Sequence, residues 1–68
     1  MNKTIIARRT IFVVVHSISS NNGGIFDMNV KAFNIEENAK YYAEKMNESV
    51  IDNNVSYHVE ELELLELA

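Results

Sequence analysis

The sequence contains no cysteine, which excludes disulfides and thiolate metal sites. No apolar run approaches the roughly 18 residues that a membrane-spanning helix needs, so no span and no membrane partner are predicted. Met1 to Arg9 is basic but leads into no long apolar region, so it reads as a poor signal peptide. Asn2-Lys3-Thr4, Asn47-Glu48-Ser49 and Asn54-Val55-Ser56 match the glycosylation pattern; without secretion they are chance matches. The expectation is a cytoplasmic protein. Basic residues are scarce too. Six Lys and Arg stand against ten Asp and Glu, for a net charge of −4, and no basic stripe exists. That argues against nucleic acid as a partner, because gripping phosphates takes clustered Lys and Arg.

What is present is enough for one small domain over residues 1–68. A chain of this size buries only about 60% of the surface its unfolded form exposes. Without disulfides or metal, a tight core or a partner subunit must supply the rest. The composition, 47% apolar and 24% charged, is that of a folded protein. The charge is uneven: residues 1–26 hold Lys3, Arg8 and Arg9 and no acid, while all ten acids fall in 27–68. Such an acidic surface suits a basic protein partner.

The chain is organised around Thr10-Ile11-Phe12-Val13-Val14-Val15-His16-Ser17-Ile18. Both the odd and the even positions of this run are apolar. A strand with one wet face alternates instead, so strand 1, about residues 10–18, is predicted to be central and covered on both sides. Residues 1–9 are a loose arm or a backward extension of the strand, with partial extension preferred. Ser19 to Gly24 is a polar cluster ending in two glycines, predicted as a hairpin loop. Strand 2, about 25–33, places Phe26, Met28, Val30 and Ala32 on one face and Asp27, Asn29 and Lys31 on the other.

Asn34 is the predicted N-cap of a helix, with Glu37 three residues on. Ile35, Ala39, Tyr42, Ala43, Met46 and Val50 form its apolar stripe. Glu36 and Lys40 form an i,i+4 pair, Tyr41 lies off the stripe, and the helix is expected to end near Ile51. Strand 3 starts near Val55. Val55, Tyr57 and Val59 share one phase, but Leu62 and Leu64 fall on the other. A β-bulge near Glu60-Glu61 would restore the face; the alternative is a short helical turn over the Glu- and Leu-rich end. Antiparallel pairing of strands 1 and 3 would set Arg8 and Arg9 near Glu60, Glu61 and Glu63, giving strand order 2-1-3. The predicted fold is α+β: a β-β-α-β chain with a three-stranded sheet covered on one face by one helix.

No constellation points to chemistry. His16 and His58, the only histidines, lack metal-ligand spacing. Ser17, Ser19 and Ser20 near His16 show neither an oriented base nor an oxyanion hole. No enzyme activity and no cofactor are expected. The more telling feature is the group Leu62, Leu64, Leu65 and Leu67, four leucines in six residues, more than one helix can cover together with the rest of the sheet. With Phe12 and Val14 from the two-sided strand they form a candidate interface, with a homodimer favoured. Glu60, Glu61, Glu63 and Glu66 form a candidate acidic partner surface. The opposing expectation is that the leucines fold under the helix.

Ile11-Phe12-Val13-Val14-Val15-His16-Ser17, then Val30-Lys31-Ala32-Phe33, then Glu36-Glu37-Asn38-Ala39 opening a helix, and Val59-Glu60-Glu61-Leu62-Glu63-Leu64 at the end resemble small β-β-α-β proteins encoded by phages, prophages and bacilli. The resemblance spans about residues 10–65 and rests on pattern, with no catalytic residue to transfer. The Ser-Asn-Gly loop and the leucine-rich end depart from it. Some small phage proteins of this sort inhibit bacterial defence systems. The resemblance therefore implies an inhibitor that binds a host protein in the host cytoplasm. The alternative expectation is an oligomer that sequesters a nucleotide signal between subunits, with Arg8, Arg9, Tyr41 and Tyr57 as candidate contacts.

Overall fold

The computed structural model describes residues 3–20 and 22–68. In chain order they form β1 (Ile5–Ser19), β2 (Ile25–Phe33), α1 (Glu36–Glu48) and β3 (Val55–Leu67). The strands make one open antiparallel sheet in the order β2-β1-β3. This is the α+β, β-β-α-β fold that the hydrophobic patterning predicts, with the Thr10–Ile18 run in the middle. Residues 5–9 prolong β1; the part of the predicted arm at Met1 and Asn2 lies outside the described residues, as does Asn21 of the loop. The hairpin closes where Ser20 N–H donates to Gly24 O (2.7 Å) and Gly23 N–H donates to Ser20 O (3.1 Å). Gly23 sits at φ 84°, a left-handed conformation that side-chain-bearing residues resist.

The core is small and lies on the face of β1 that presents Phe12 and Val14. Val14 is fully buried beneath Ala39 and Ala43 of α1, with Phe12, Phe33, Tyr42, Tyr57 and Val59 packed around them. Two alanines at i,i+4 fall on one helix face, and their short side chains let the helix settle closely on a valine. Directly opposed residues of an antiparallel pair share a face. The register Val14↔Val59 and His16↔Tyr57 therefore brings Val59 and Tyr57 of β3 beneath the same helix. The other face of β1, with Ile11, Val13 and Val15, has no helix over it. Val13 and Val15 are nevertheless buried, shielded by their cross-strand neighbours on β2 and β3.

Four expectations need correction. Ile35, not Asn34, is the N-cap, and it makes no side-chain capping bond. The helix stops at Glu48 rather than near Ile51: Ser49 N–H and Oγ both turn back to Met46 O, and Ile51 is left 98% exposed. β2 does not keep one face throughout. The register slips between Val14 and Val15, so Val30 is skipped; Phe26 and Met28 fall on the helix side together with Lys31 and Phe33. Finally, β3 has no bulge at Glu60-Glu61. Its pairing with β1 runs unbroken from Ile18↔Val55 to Ala7↔Glu66, and the only shift lies between Ile5 and Ala7. β3 is strand throughout, so the phase change is real: Val55, Tyr57 and Val59 face the helix side, and Leu62 and Leu64 face the opposite side.

The fold is long for its size. The Cα radius of gyration is 15.4 Å, with extents of 49 × 29 × 11 Å; about 11 Å is expected for a compact domain of this length. The cause is the mismatch in strand lengths. β2 pairs with β1 only from Phe12 onward, and α1 covers the same half. Beyond it, Ile5–Ile11 of β1 and Leu62–Leu67 of β3 project as a bare two-stranded ribbon of roughly 20–24 Å.

Candidate interaction surface

The ribbon has two faces and two free edges, one along β1 and one along β3. On the face continuous with the uncovered side of the sheet lie Ala7, Arg9, Ile11, Leu62, Leu64 and Glu66. On the helix-side face lie Arg8, Thr10, Glu63 and Leu65. Ile5 pairs with Leu67 past the bulge. Leu62, Leu64, Leu65 and Leu67 are each about half exposed, from 43% to 53%. They do not fold under the helix, because α1 ends over Tyr57 and Val59 and reaches no further along β3. The leucines also divide between the faces: Leu62 and Leu64 on one, Leu65 on the other.

Phe12 and Val14 do not belong to this surface. They were expected at an interface because both faces of β1 are apolar; α1 occupies the even-numbered one and buries Val14 completely. The acidic residues also separate. Glu60 and Glu66 lie on the open face, and Glu61 and Glu63 on the helix side. Arg8 meets one acid: its Nη1 lies 3.4 Å from Glu63 Oε1 in an exposed pair. Glu60 and Glu61 pair with Val13 and Phe12 instead, well along the strand from either arginine. Among the described residues Arg9 makes no ion pair.

The candidate ligand contacts do not converge. Arg8 and Arg9 line a concavity of ≈ 380 Å³ with Ala7, Leu64, Leu65 and Glu66. Tyr57 is opposite His16, eight residues along β1 and so about 26 Å away, where the two rings pack at 4.9 Å. Tyr41 stands on the exposed side of α1 with Lys45 Nζ 5.4 Å from its ring centre.

The register does assemble one polar group that the sequence conceals. Ser17 Oγ donates to Asp27 Oδ1 (2.6 Å), lies 3.5 Å from His58 Nδ1, and His58 Nε2 is 3.1 Å from Glu60 Oε1. Three strands thus contribute Asp27, Ser17, His58 and Glu60 to one row on the open face. A serine between a histidine and an acid invites comparison with a hydrolase triad. Here, however, the serine proton is directed to the carboxylate of Asp27 rather than to the imidazole, and Asp27, His58 and Glu60 are all exposed, without the water-excluded setting that oxyanion stabilisation needs. The row ties strands together. His16, on the opposite face, takes no part, and no group of three metal-ligating side chains exists among the described residues. Only pairing register reveals this row: Ser17, Asp27 and His58 are ten or more positions apart in sequence.

The described residues include no helix long and apolar enough to cross a membrane. No protein-family model, curated protein or solved structure matches the chain.

Proposed function

We propose that the protein is a non-enzymatic interaction protein that docks on another protein through the β1/β3 ribbon and the open sheet face continuous with it. The observation supporting this most directly is the ribbon itself. Two strands without a third strand or a helix against them are marginal in water, yet this pair holds four half-exposed leucines. Apolar surface gathered on an unsupported element is what a partner surface needs. In keeping with the resemblance to phage-encoded proteins, the target is a host defence protein in the bacterial cytoplasm, and the action is inhibition by occlusion. Glu66 and Glu60 beside Leu64 and Leu62 favour a basic rim on that target.

Affinity capture from bacterial lysate is expected to retain one stoichiometric partner with the unaltered protein and to lose it with Leu62→Asp or Leu64→Asp, both folded by circular dichroism. Rebuilding the complex from the purified partner then gives its affinity. Repeated recovery of no partner, or retention unaffected by either substitution, overturns the reading.

The concavity beside Arg8 and Arg9 supports a second reading, in which an anionic nucleotide binds the ribbon. Tyr41 and Tyr57 stand apart from it, so only the anion contact remains. A nucleotide present at 100 times its Kd would stabilise the fold by about 2.7 kcal/mol; a thermal-shift panel without any response removes this reading.

A further inference from the structure

We propose that a second copy of this chain joins the sheet along the free edge of β1, antiparallel, in a register centred on Arg8. The strand pairing uses the edge rather than the ribbon's faces, and shares Leu64 and Glu66 with the docking surface proposed above.

The edge is free because β2 ends opposite Phe12, where the chain turns away through Asn34 and Ile35 into α1. Among the described residues no strand lies beside Ile5–Ile11 on that side. Its outward N–H and C=O groups form a ready template for another strand. The surface area agrees. The chain exposes 5527 Å², whereas size scaling for a 7.8 kDa monomer gives about 4400 Å². The excess, on the order of 1,100 Å², resembles the roughly 800 Å² that each partner hides in a standard interface.

Charge favours this edge over the outer edge of β3 and selects this register. Pairing β3 with its own copy about Glu63 would set Glu60 against Glu66 and Glu63 against its own mate, and like charges across a ladder repel. On β1, a two-fold centred on Arg8 places the second copy's Arg9 opposite Ala7. Ala7 is paired on its other side with Glu66. The incoming guanidinium then passes over a methyl group, enters the ≈ 380 Å³ concavity that Ala7, Leu64 and Glu66 line together with Arg8, Arg9 and Leu65, and reaches the Glu66 carboxylate. Arg9, which makes no ion pair among the described residues, gains one twice over by symmetry. Arg8 meets its own mate on the axis, but each is already drawn to its Glu63 at 3.4 Å. Moving the centre one residue loses the match: Arg9 would oppose Ile5 or another Arg9. The two-fold closes the assembly at two chains and converts two marginal ribbons into one four-stranded sheet.

The absence of cysteine makes cross-linking a clean test. Residues on the two-fold axis sit with Cα atoms about 4.5–5.5 Å apart across an antiparallel pair, within disulfide range. Thr10 and its mate are offset by four residues, about 13 Å. Sedimentation should give twice the chain mass. Arg8→Cys should form a disulfide dimer under mild oxidation, while Thr10→Cys and Leu65→Cys should not. Arg9→Glu and Glu66→Arg should each weaken the dimer at least tenfold, and the double exchange should restore it. A monomer at every concentration, a ladder of masses above two, cross-linking that peaks elsewhere, or a double exchange that restores nothing overturns the proposal. Dimer formation with no lysate partner, or the reverse, separates this proposal from the docking function.

Discussion

The two halves of β1 are both more than half apolar but have opposite fates. From Phe12 to Ile18 the strand has β2 on one side, β3 on the other and α1 above, and Val13, Val14 and Val15 are buried. From Ile5 to Ile11 it has β3 alone, and none of its residues is buried. The difference does not come from the strand alone, although its exposed half carries Arg8 and Arg9. β2 is nine residues long and α1 thirteen, while β1 is fifteen. The shorter elements define where a core forms, and whatever strand is left over becomes surface.

The sharpest way to break this contrast is to place the same charge in each half. Val14→Asp buries a carboxylate at a fully enclosed site with no partner, at a cost of several kcal/mol. It should abolish the cooperative thermal transition seen by circular dichroism. Leu64→Asp, on the ribbon, should shift the midpoint by no more than the roughly 0.5 kcal/mol typical of surface changes. Comparable losses at both sites would show that the ribbon is part of the core.

A smaller effect tests how the covered half is fastened. The Asn47 side chain donates to Tyr57 O (2.9 Å) and accepts from Tyr57 N–H (2.8 Å). Asn47→Ala is expected to cost about 1–3 kcal/mol by urea titration; an unchanged midpoint would mean that water replaces the amide without loss. Smaller again, amide hydrogen exchange should be faster at Arg8–Ile11 than at Val13–Val15 in dilute protein, with protection of 8–11 rising with concentration as the edge becomes paired. The least effect belongs to the exposed Arg8–Glu63 pair. Arg8→Ala should change stability by under about 1 kcal/mol, measured as a shift in denaturant midpoint.

Much of the architecture was legible in the residues. Apolar side chains on both faces of Ile11–Val15 marked the central strand. The stripe Ala39, Tyr42, Ala43 and Met46 marked a one-sided helix, and Glu36 meets Lys40 at 3.3 Å as the i,i+4 spacing predicts. The face that the helix would choose was not legible, because valines occupy both. Tyr57 and Val59 decide it, as they share a face with Val14 only once the register is known. The expected bulge at Glu60-Glu61 assumed that every apolar residue of β3 must face one core; α1 is too short to impose that, so the ladder continues regularly and the leucines alternate. The slip at Val30 was hidden because Phe26, Met28, Val30 and Ala32 already alternate well. The row Asp27, Ser17, His58 and Glu60 was missed because its members come together only through two separate strand pairings, β1 with β2 and β1 with β3. Of the candidate interface, the four leucines are exposed on the ribbon, whereas Phe12 and Val14 lie beneath the helix.

The two bonds between Asn47 and Tyr57 have a further consequence. A helix side chain here presents to the outer margin of β3 the same donor and acceptor that a neighbouring strand would present. At Tyr57 that margin is plugged, and a newcomer would have to evict the amide before it could bind. The covered end of the β3 side is thus closed to strand addition by a side chain, while the first half of β1 is open to it.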